Sequence, residues 1–412
     1  MKIFIFIGLL PLAAFSQPRL LTMEKAVQLA LQQNKGLQSA VMTTDYYRAL
    51  VKTSGELPKT ELTLQYGQYN SYAWQDNHVS ITQVIPFPAT FGAKKQLAVA
   101  QVQKSQWDKA STQNELIYQV KQVYVQLLYL REREKLLIQQ DSLFSSFARS
   151  ADLRYRTGES RMLEKAAAEG RLQEARNGIR QNEADMNIYM ARLQFLLGSN
   201  EPVEITETML PVANRQTDIV SDSIAVSANP NLQALKQEIT IAAKQQKVFS
   251  TAISPDITVG YFNQSLIGTQ VASGSSKLAT GSDRFQGFQL GLALPLWFGP
   301  LKAKVYAEEK KQMAAALSYE NNRMLMQSRY QQAVQQYNKQ QNNLIYYNNT
   351  AIPNAELILK QSLQAYNSGE IGYAEHFLNI EQALGIRQGC LQTIHDAAQA
   401  ALYIEYLEGT HQ

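Results

Sequence analysis

Cysteine is nearly missing from this 412-residue chain: Cys390 is the only one. It can close no intrachain disulfide, and within a late helical stretch it reads as a small core residue rather than a reactive thiol. Histidine is scarce as well. His78, His376, His395 and His411 are scattered, no Cys/His pair has ligand spacing, and the sequence therefore offers neither a metal site nor a cofactor site. An excess of one charge is lacking too, since 39 basic residues face 35 acidic ones and the net charge is +4. Without a polybasic run or basic residues interleaved with aromatics, a nucleic-acid partner is excluded. No GxSxG or HExxH is present, and the Gly/Ser stretch from Gly274 to Gly281 lacks the Gly-Lys-Ser/Thr ending of a phosphate loop. The chain carries no catalytic residue by these criteria and is read as a non-enzyme. Beyond its first residues, no stretch approaches the roughly 18 apolar residues of a membrane-spanning helix. Glycine and proline are few and confined to a few places, which is the look of long helices.

The first residues are different. Met1-Lys2 precedes an apolar run from Ile3 to Phe15, and small residues at Ala14 and Ser16 fit a signal-peptidase site after Ser16. A run of that length is too short to span a bilayer, so residues 1–16 are expected to be a signal peptide and the chain to be exported. The alternative is a retained anchor. No cysteine follows the cleavage site, so the acceptor for an N-terminal lipid is missing.

What the sequence has most of is itself, twice. Asn34, Leu37, Gln38, Leu62, Leu64 and Tyr66 recur 195 positions later as Asn229, Leu232, Gln233, Ile257, Val259 and Tyr261. Pro86 with Phe91-Gly92 answers to Pro295 with Phe298-Gly299. Tyr155-Arg156-Thr157-Gly158-Glu159 answers to Tyr366-Asn367-Ser368-Gly369-Glu370, now 211 positions on. The drift in offset marks an insertion in the Gly/Ser-rich loop of the second copy, where length changes are best tolerated. The expected organisation is a first repeat over 17–200, a linker over 201–218 and a second repeat over 219–412, each a helix-strand-strand-helix unit.

Periodicity assigns the elements. A helix is expected from about Thr22 to Gly55, and Glu61 to Gly67 alternates Leu62, Leu64 and Tyr66 with polar residues, the pattern of a strand with one apolar face. Val79 to Ile85 is a second strand, ended by Pro86 and Pro88. From Phe91 nothing interrupts a helix until Gly158, roughly 64 residues or about 95 Å. Ile117, Val120, Tyr124 and Leu127 have the spacing of a coiled-coil seam. A returning helix runs from Arg161 to Leu197. The second copy repeats the plan: a helix from Asp222 to Thr251, a strand from Asp256 to Phe262, a loop from Gly268 to Ser282, a strand, a helix from Leu301 to Ala365 bent by Pro353, and a last helix to Leu407. In that second strand, Phe288, Leu290, Leu292, Leu294 and Leu296 alternate with small or polar residues. This is the pattern of a barrel wall with lipid on one side and water on the other; a sheet packed on a soluble core would show it too. Export and the absence of another core segment favour the barrel. Four strands cannot close one, and an open edge has no partners in a bilayer, so several chains must share it.

The lead-in Leu21-Thr22-Met23-Glu24-Lys25-Ala26-Val27 with Ala30 and Asn34, the junctions at Pro86 and Pro295, and the paired turns at Gly158 and Gly369 together resemble the TolC-like outer membrane factors. The resemblance covers nearly the whole mature chain and implies a mixed α and β membrane protein. Three chains would form a 12-stranded β-barrel in the outer membrane, continuous with a long α-helical periplasmic tunnel. The implied function is that of an exit duct of a tripartite efflux system, with a periplasmic adaptor protein and an inner-membrane pump as partners. Tyr69 to His78 and Gln264 to Arg284 would be the outer loops. Ile85-Pro86-Phe87-Pro88 and those compact loops resemble the heavy-metal cation branch of the family. The turns, with Tyr155, Gly158, Glu159, Tyr366, Gly369 and Glu370, would be the periplasmic tips that meet the adaptor. Glu375, and with it Glu164, would line the channel constriction; as residues of a helix's first turn, both are also explained by the macrodipole alone. A helical-hairpin adaptor or scaffold that never enters the membrane is the alternative function.

Overall fold

The computed structural model describes residues 19–69, 71–199, 201–207, 226–272 and 274–409. The expected signal peptide, the linker beyond residue 207, the start of the helix expected at Asp222, and His411 lie outside the described residues. In chain order the elements are β1 (Arg19–Leu21), α1 (Met23–Gln33), α2 (Lys35–Leu50), β2 (Glu61–Tyr66), β3 (Asn77–Ile85), α3 (Pro88–Arg156), α4 (Met162–Leu197), β4 (Val203–Ile205), α5 (Pro230–Thr251), β5 (Asp256–Ser265), β6 (Gly268–Ala272), β7 (Ser275–Ala279), β8 (Arg284–Ala293), α6 (Phe298–Tyr346), α7 (Ile352–Asn367) and α8 (Tyr373–Glu408). They divide into two compact units, one made of residues 1–38, 111–229 and 324–412, the other of 39–110 and 230–323.

The first unit is helical and has a conventional core. The seam residues Val120, Tyr124 and Leu127 of α3 are fully buried, with Leu193 and Leu197 of α4 and Ala26 and Ala30 of α1 packed against them. Across this core β1 and β4 pair in parallel, Leu21 opposite Ile205, and the Tyr124 hydroxyl donates to the Leu21 carbonyl at 2.9 Å. Neither three-residue strand was expected from the sequence.

Asn34 corrects the first helix. Its backbone leaves helical geometry, its Oδ1 accepts the Leu37 N–H at 3.1 Å, and the single helix expected from Thr22 to Gly55 becomes α1, α2 and a 3₁₀ turn over Val51–Gly55. An asparagine that caps the next helix competes with continuation of the last one. Asn34 Nδ2 also donates to the Leu196 carbonyl at 2.9 Å, in the last turn of α4; Asn229 Nδ2 donates to the Leu407 carbonyl at 3.0 Å, in the last turn of α8. Both helices then end on a left-handed glycine, Gly198 at φ +66° and Gly409 at φ +67°. Pro353 was expected to bend its helix. A π-helical turn over Tyr347–Ala351 precedes it and separates α6 from α7. Proline cannot donate to the carbonyl four residues back, and the wider turn accommodates that loss.

The second unit contains the four-stranded antiparallel sheet β2-β3-β5-β8. Its helices pack through small residues: Ala93 and Ala100 of α3 and Ala242 of α5 are buried, the Gln237 amide donates to the Ala100 carbonyl, and Lys104 meets Glu238 at 3.3 Å. The loop expected over Gly268–Ser282 contains a hairpin, β6 and β7, with Thr269 opposite Leu278. The strand expected to reach Leu296 stops at Ala293, because β5 begins only at Asp256 and Pro295 has no N–H for a ladder.

Candidate functional site

Two places, one in each unit, gather the residues singled out in the sequence. In the sheet, the register sets Leu62 beside Ile81, Ile81 beside Tyr261, Tyr261 beside Phe288, Val259 beside Leu290 and Ile257 beside Leu292. One face is therefore largely apolar, interrupted by Gln83 beside Val259 and turning polar toward the loops at Asn263 with Gln286 and Ser265 with Arg284, because side chains directly opposite across a ladder share a face. It is also bare: Phe288 is 87% exposed and Leu290 79%, with Leu292, Leu62, Leu64 and Tyr66 close behind. Leu294 and Leu296, past the end of β8, are equally exposed, as is Trp297. The opposite face carries Thr63, Gln65, Ser80, Thr82, Thr258, Gly260, Gln289 and Gly291. Among the described residues β2 and β8 pair on one side only, leaving an open edge at each side of the sheet.

In the helical unit, α3 turns into α4 and α7 turns into α8 through the same backbone geometry. Gly158 has φ +78° and Gly369 φ +79°. The Glu159 N–H donates to the Arg154 carbonyl at 2.8 Å and the Glu370 N–H to the Ala365 carbonyl at 2.9 Å, the six-to-one bond of a Schellman turn, which requires a left-handed residue just before it. Glycine meets that requirement at no steric cost.

Beneath the turns the two hairpins share a core of Phe144, Phe147, Ala151, Ala168, Leu172, Tyr373, Ile380 and Leu384. His376 sits in it, 1% exposed, with Nδ1 2.7 Å from Ser362 Oγ, its ring stacked on Tyr366 at 4.7 Å and edge-on to Phe147 at 5.2 Å. Burial holds its pKa below the ordinary imidazole value. Sequence reasoning missed this residue. Its signal was the helical spacing of Tyr373, His376, Ile380 and Ala383, all buried on one face of α8.

The expected site residues fall around this core. Tyr366 accepts a hydrogen bond from Arg154 at 3.4 Å, which joins the two hairpins, and Tyr155 lies under the Lys165 ammonium at 5.6 Å. Lys165 donates to Asp152 at 2.7 Å and, with Arg156, holds that carboxyl below its usual range. Glu159 pairs with Arg154 at 3.8 Å, and Glu370 is exposed. Glu164 and Glu375 each occupy the first turn of their helix, Glu164 half-buried and Glu375 exposed. Glu164 is close enough to act on Tyr373. Burial first, then Tyr366 and Glu164, push that phenol up to about 12, and its hydroxyl finds no hydrogen-bond partner among the described residues. No cluster of three or more metal-ligating side chains occurs among the described residues.

No protein-family model matches the chain, and no curated protein matches it. Solved structures do. The outer-membrane channel OprN superposes with a TM-score of 0.79 at 16% identity, over 94% of this chain and 89% of that one. CusC, whose structures describe folding and transmembrane channel formation, gives 0.77 at 15% identity, over 94% and 91%. The outer membrane protein VceC of Vibrio cholerae gives 0.77 at 14%, over 94% and 96%. The chain has the fold of these channel proteins along nearly its whole length.

Proposed function

We propose that this chain is one of three that together form an outer-membrane exit duct, passing cargo from the periplasm to the exterior of the cell. The observation that carries the proposal is the bare apolar face of the sheet between two open edges. In water such a face would drive aggregation, whereas in a bilayer it is the wall of a barrel that further copies must close. β5 and β8 have ten residues each, the length a tilted strand needs to cross the hydrocarbon layer. A helical-hairpin scaffold that never enters the membrane would cover these strands with protein, and the exposure of Phe288 and Leu290 argues against it. The channel fold of the solved relatives supports the same reading, as does the recurrence of one capping arrangement at Asn34 and Asn229.

In this reading four strands from each of three chains make a 12-stranded barrel, and the long helices make a periplasmic tunnel. The turns at Gly158 and Gly369 present Glu159 and Glu370 to an adaptor protein that links the duct to an inner-membrane pump. Glu375, exposed at the start of α8, lines the constriction with Glu164 behind it. Heavy-metal cations are the cargo class in this reading, on the resemblance of Ile85-Pro86-Phe87-Pro88 and the compact outer loops to that branch of the duct family. A duct need not itself bind its cargo, so the reading requires no metal site.

Planar-bilayer recording tests the duct. The full chain should insert to give discrete conductance steps, and divalent cations added on the tip side should block them, since a ring of carboxylates attracts cations. Glu375→Gln should raise the conductance and remove the block. Steps without any response to Glu375→Gln would return Glu375 to a helix-start carboxylate with no role in the passage.

A further inference from the structure

The charges at the two ends of the sheet are arranged differently. Pairing of Glu61 with Thr82, Ile85 with Ile257 and Asp256 with Ala293 puts the start of β2, the end of β3, the start of β5 and the end of β8 at one end, where all four strands join helices. Each of the four joining segments carries two lysines within a dozen residues of its strand: Lys52 and Lys59, Lys94 and Lys95, Lys244 and Lys247, Lys302 and Lys304. Against these eight, the same segments contain one acidic residue, Glu56, and the strand ends add Glu61 and Asp256, whose carboxylate accepts the Phe87 N–H at 3.0 Å, so basic charge stays in excess. None of the eight lies within ion-pair distance of a carboxylate among the described residues; Lys244 donates to Gln96, Lys304 lies over Phe249, and all but Lys244 are exposed. At the other end Asp76 and Asp283 balance Lys277 and Arg284 in number, and each of the four is hydrogen-bonded. Lys277 pairs with Asp283 at 2.8 Å, Asp76 is buried among the Ser71 and Ser265 hydroxyls, and Arg284 donates to Asn263 and Asn77.

A balanced end asks for nothing further, whereas an end with excess basic charge asks for anions. Which anions follows from what adjoins it. Trp297 is 83% exposed, and Leu296, Phe298 and Phe87 are exposed with it, directly between the bare apolar face and the lysines. An aromatic band between an apolar wall and a cationic band is the sequence of environments met on leaving a bilayer, hydrocarbon then interface then headgroup. The lysines of α3, α5 and α6 sit at most about 11 Å along their helices from the helix end nearest the sheet, at 1.5 Å per residue. Their long side chains can lie along the helix and deliver the ammonium back toward the interface.

We propose that this lysine collar is a binding surface for the phosphates of anionic phospholipids in the leaflet next to the helices. The proposal rests on the reading of the sheet as lipid-facing. It makes the duct's seating depth and orientation depend on lipid charge, with the matched end free of that dependence.

The test uses the full chain with Trp74→Phe and Trp107→Phe, which leaves Trp297 as the sole tryptophan. It is reconstituted in phosphatidylcholine bilayers containing either brominated phosphatidylglycerol or the same fraction of brominated phosphatidylcholine, and Trp297 quenching is recorded at low and high salt. The collar requires stronger quenching by phosphatidylglycerol, with a relative affinity higher by about fivefold for each lysine engaged. The preference should fade at high salt and in the variant Lys94→Gln, Lys95→Gln, Lys302→Gln, Lys304→Gln. Equal quenching by the two lipids at low salt would overturn the collar and leave the lipid-facing sheet standing. No quenching by either would overturn the sheet reading and the collar together. The salt comparison needs no lysine substitution, so it decides the matter even if the quadruple variant folds poorly.

Discussion

The helical core and the sheet each carry a regular hydrophobic period, three to four residues in the one and two in the other, with opposite outcomes. In α3 the seam residues Val120, Tyr124 and Leu127 are fully buried. In β8 the residues that alternate just as regularly, Phe288, Leu290 and Leu292, are among the most exposed large side chains of the chain. Periodicity fixes which residues share a face, and the surroundings decide whether that face is covered by protein. The helical unit covers its apolar stripe with α1, α4 and α8, whereas among the described residues nothing covers Phe288, and the proposed duct places that face against lipid.

That contrast can be broken most forcefully in the core. Leu127→Ala should cost about 2–5 kcal/mol in a detergent-solubilised unfolding measurement, because it leaves a cavity among fully buried neighbours. Leu290→Ala should cost little in the same measurement, and equal losses at the two positions would erase the distinction between a covered and an uncovered face. In a bilayer the order changes. Leu292→Arg should impair insertion by about 2–4 kcal/mol if it lies near the midplane, whereas Ala293→Ser, on the opposite face, should be tolerated; matching defects would reject the assigned inside and outside.

A smaller effect sharpens the comparison through pH. His376 titrates below the ordinary imidazole value of about 6.5 when folded, so the unfolded chain binds its proton first. Its contribution to stability is complete above pH 6.5 and is lost as pH falls below it, by at most about 1.4 kcal/mol per pH unit. The groups around it are the Ser362 hydroxyl, Tyr366 with its Arg154 donor, and Phe147. None supplies a carboxylate to compensate. His376→Phe should flatten the acid limb of the pH–stability curve of the helical unit, and an unchanged limb would assign that loss to other groups.

How much of this was legible depended on distance along the chain. Gly158 and Gly369 stood out because a left-handed turn has a strong local requirement, and the β8 face stood out because its period of two runs through five large residues. β1 and β4 were invisible: a three-residue strand has no measurable period, and its partner lies more than 180 residues away. The β6–β7 hairpin was hidden because a stretch rich in Gly and Ser reads in the sequence as an unstructured loop. The break at Asn34 depends on one side chain choosing the Leu37 N–H over solvent. His376 became a core residue only when the fold brought Phe147 to it. The lysine pairs never form a run in the sequence, and only the strand register gathers them at one end. Of the candidate site, the sequence held the turns and the apolar stripe, while the shared core beneath the turns was decided by contacts between hairpins some 200 residues apart.

The most direct test of the account is the mass of the purified protein in detergent and its behaviour when detergent is removed. Because four strands cannot close a barrel, the account predicts a particle containing three chains that precipitates without detergent or lipid. A monodisperse single chain of 46.3 kDa or less that stays in solution without detergent would contradict it.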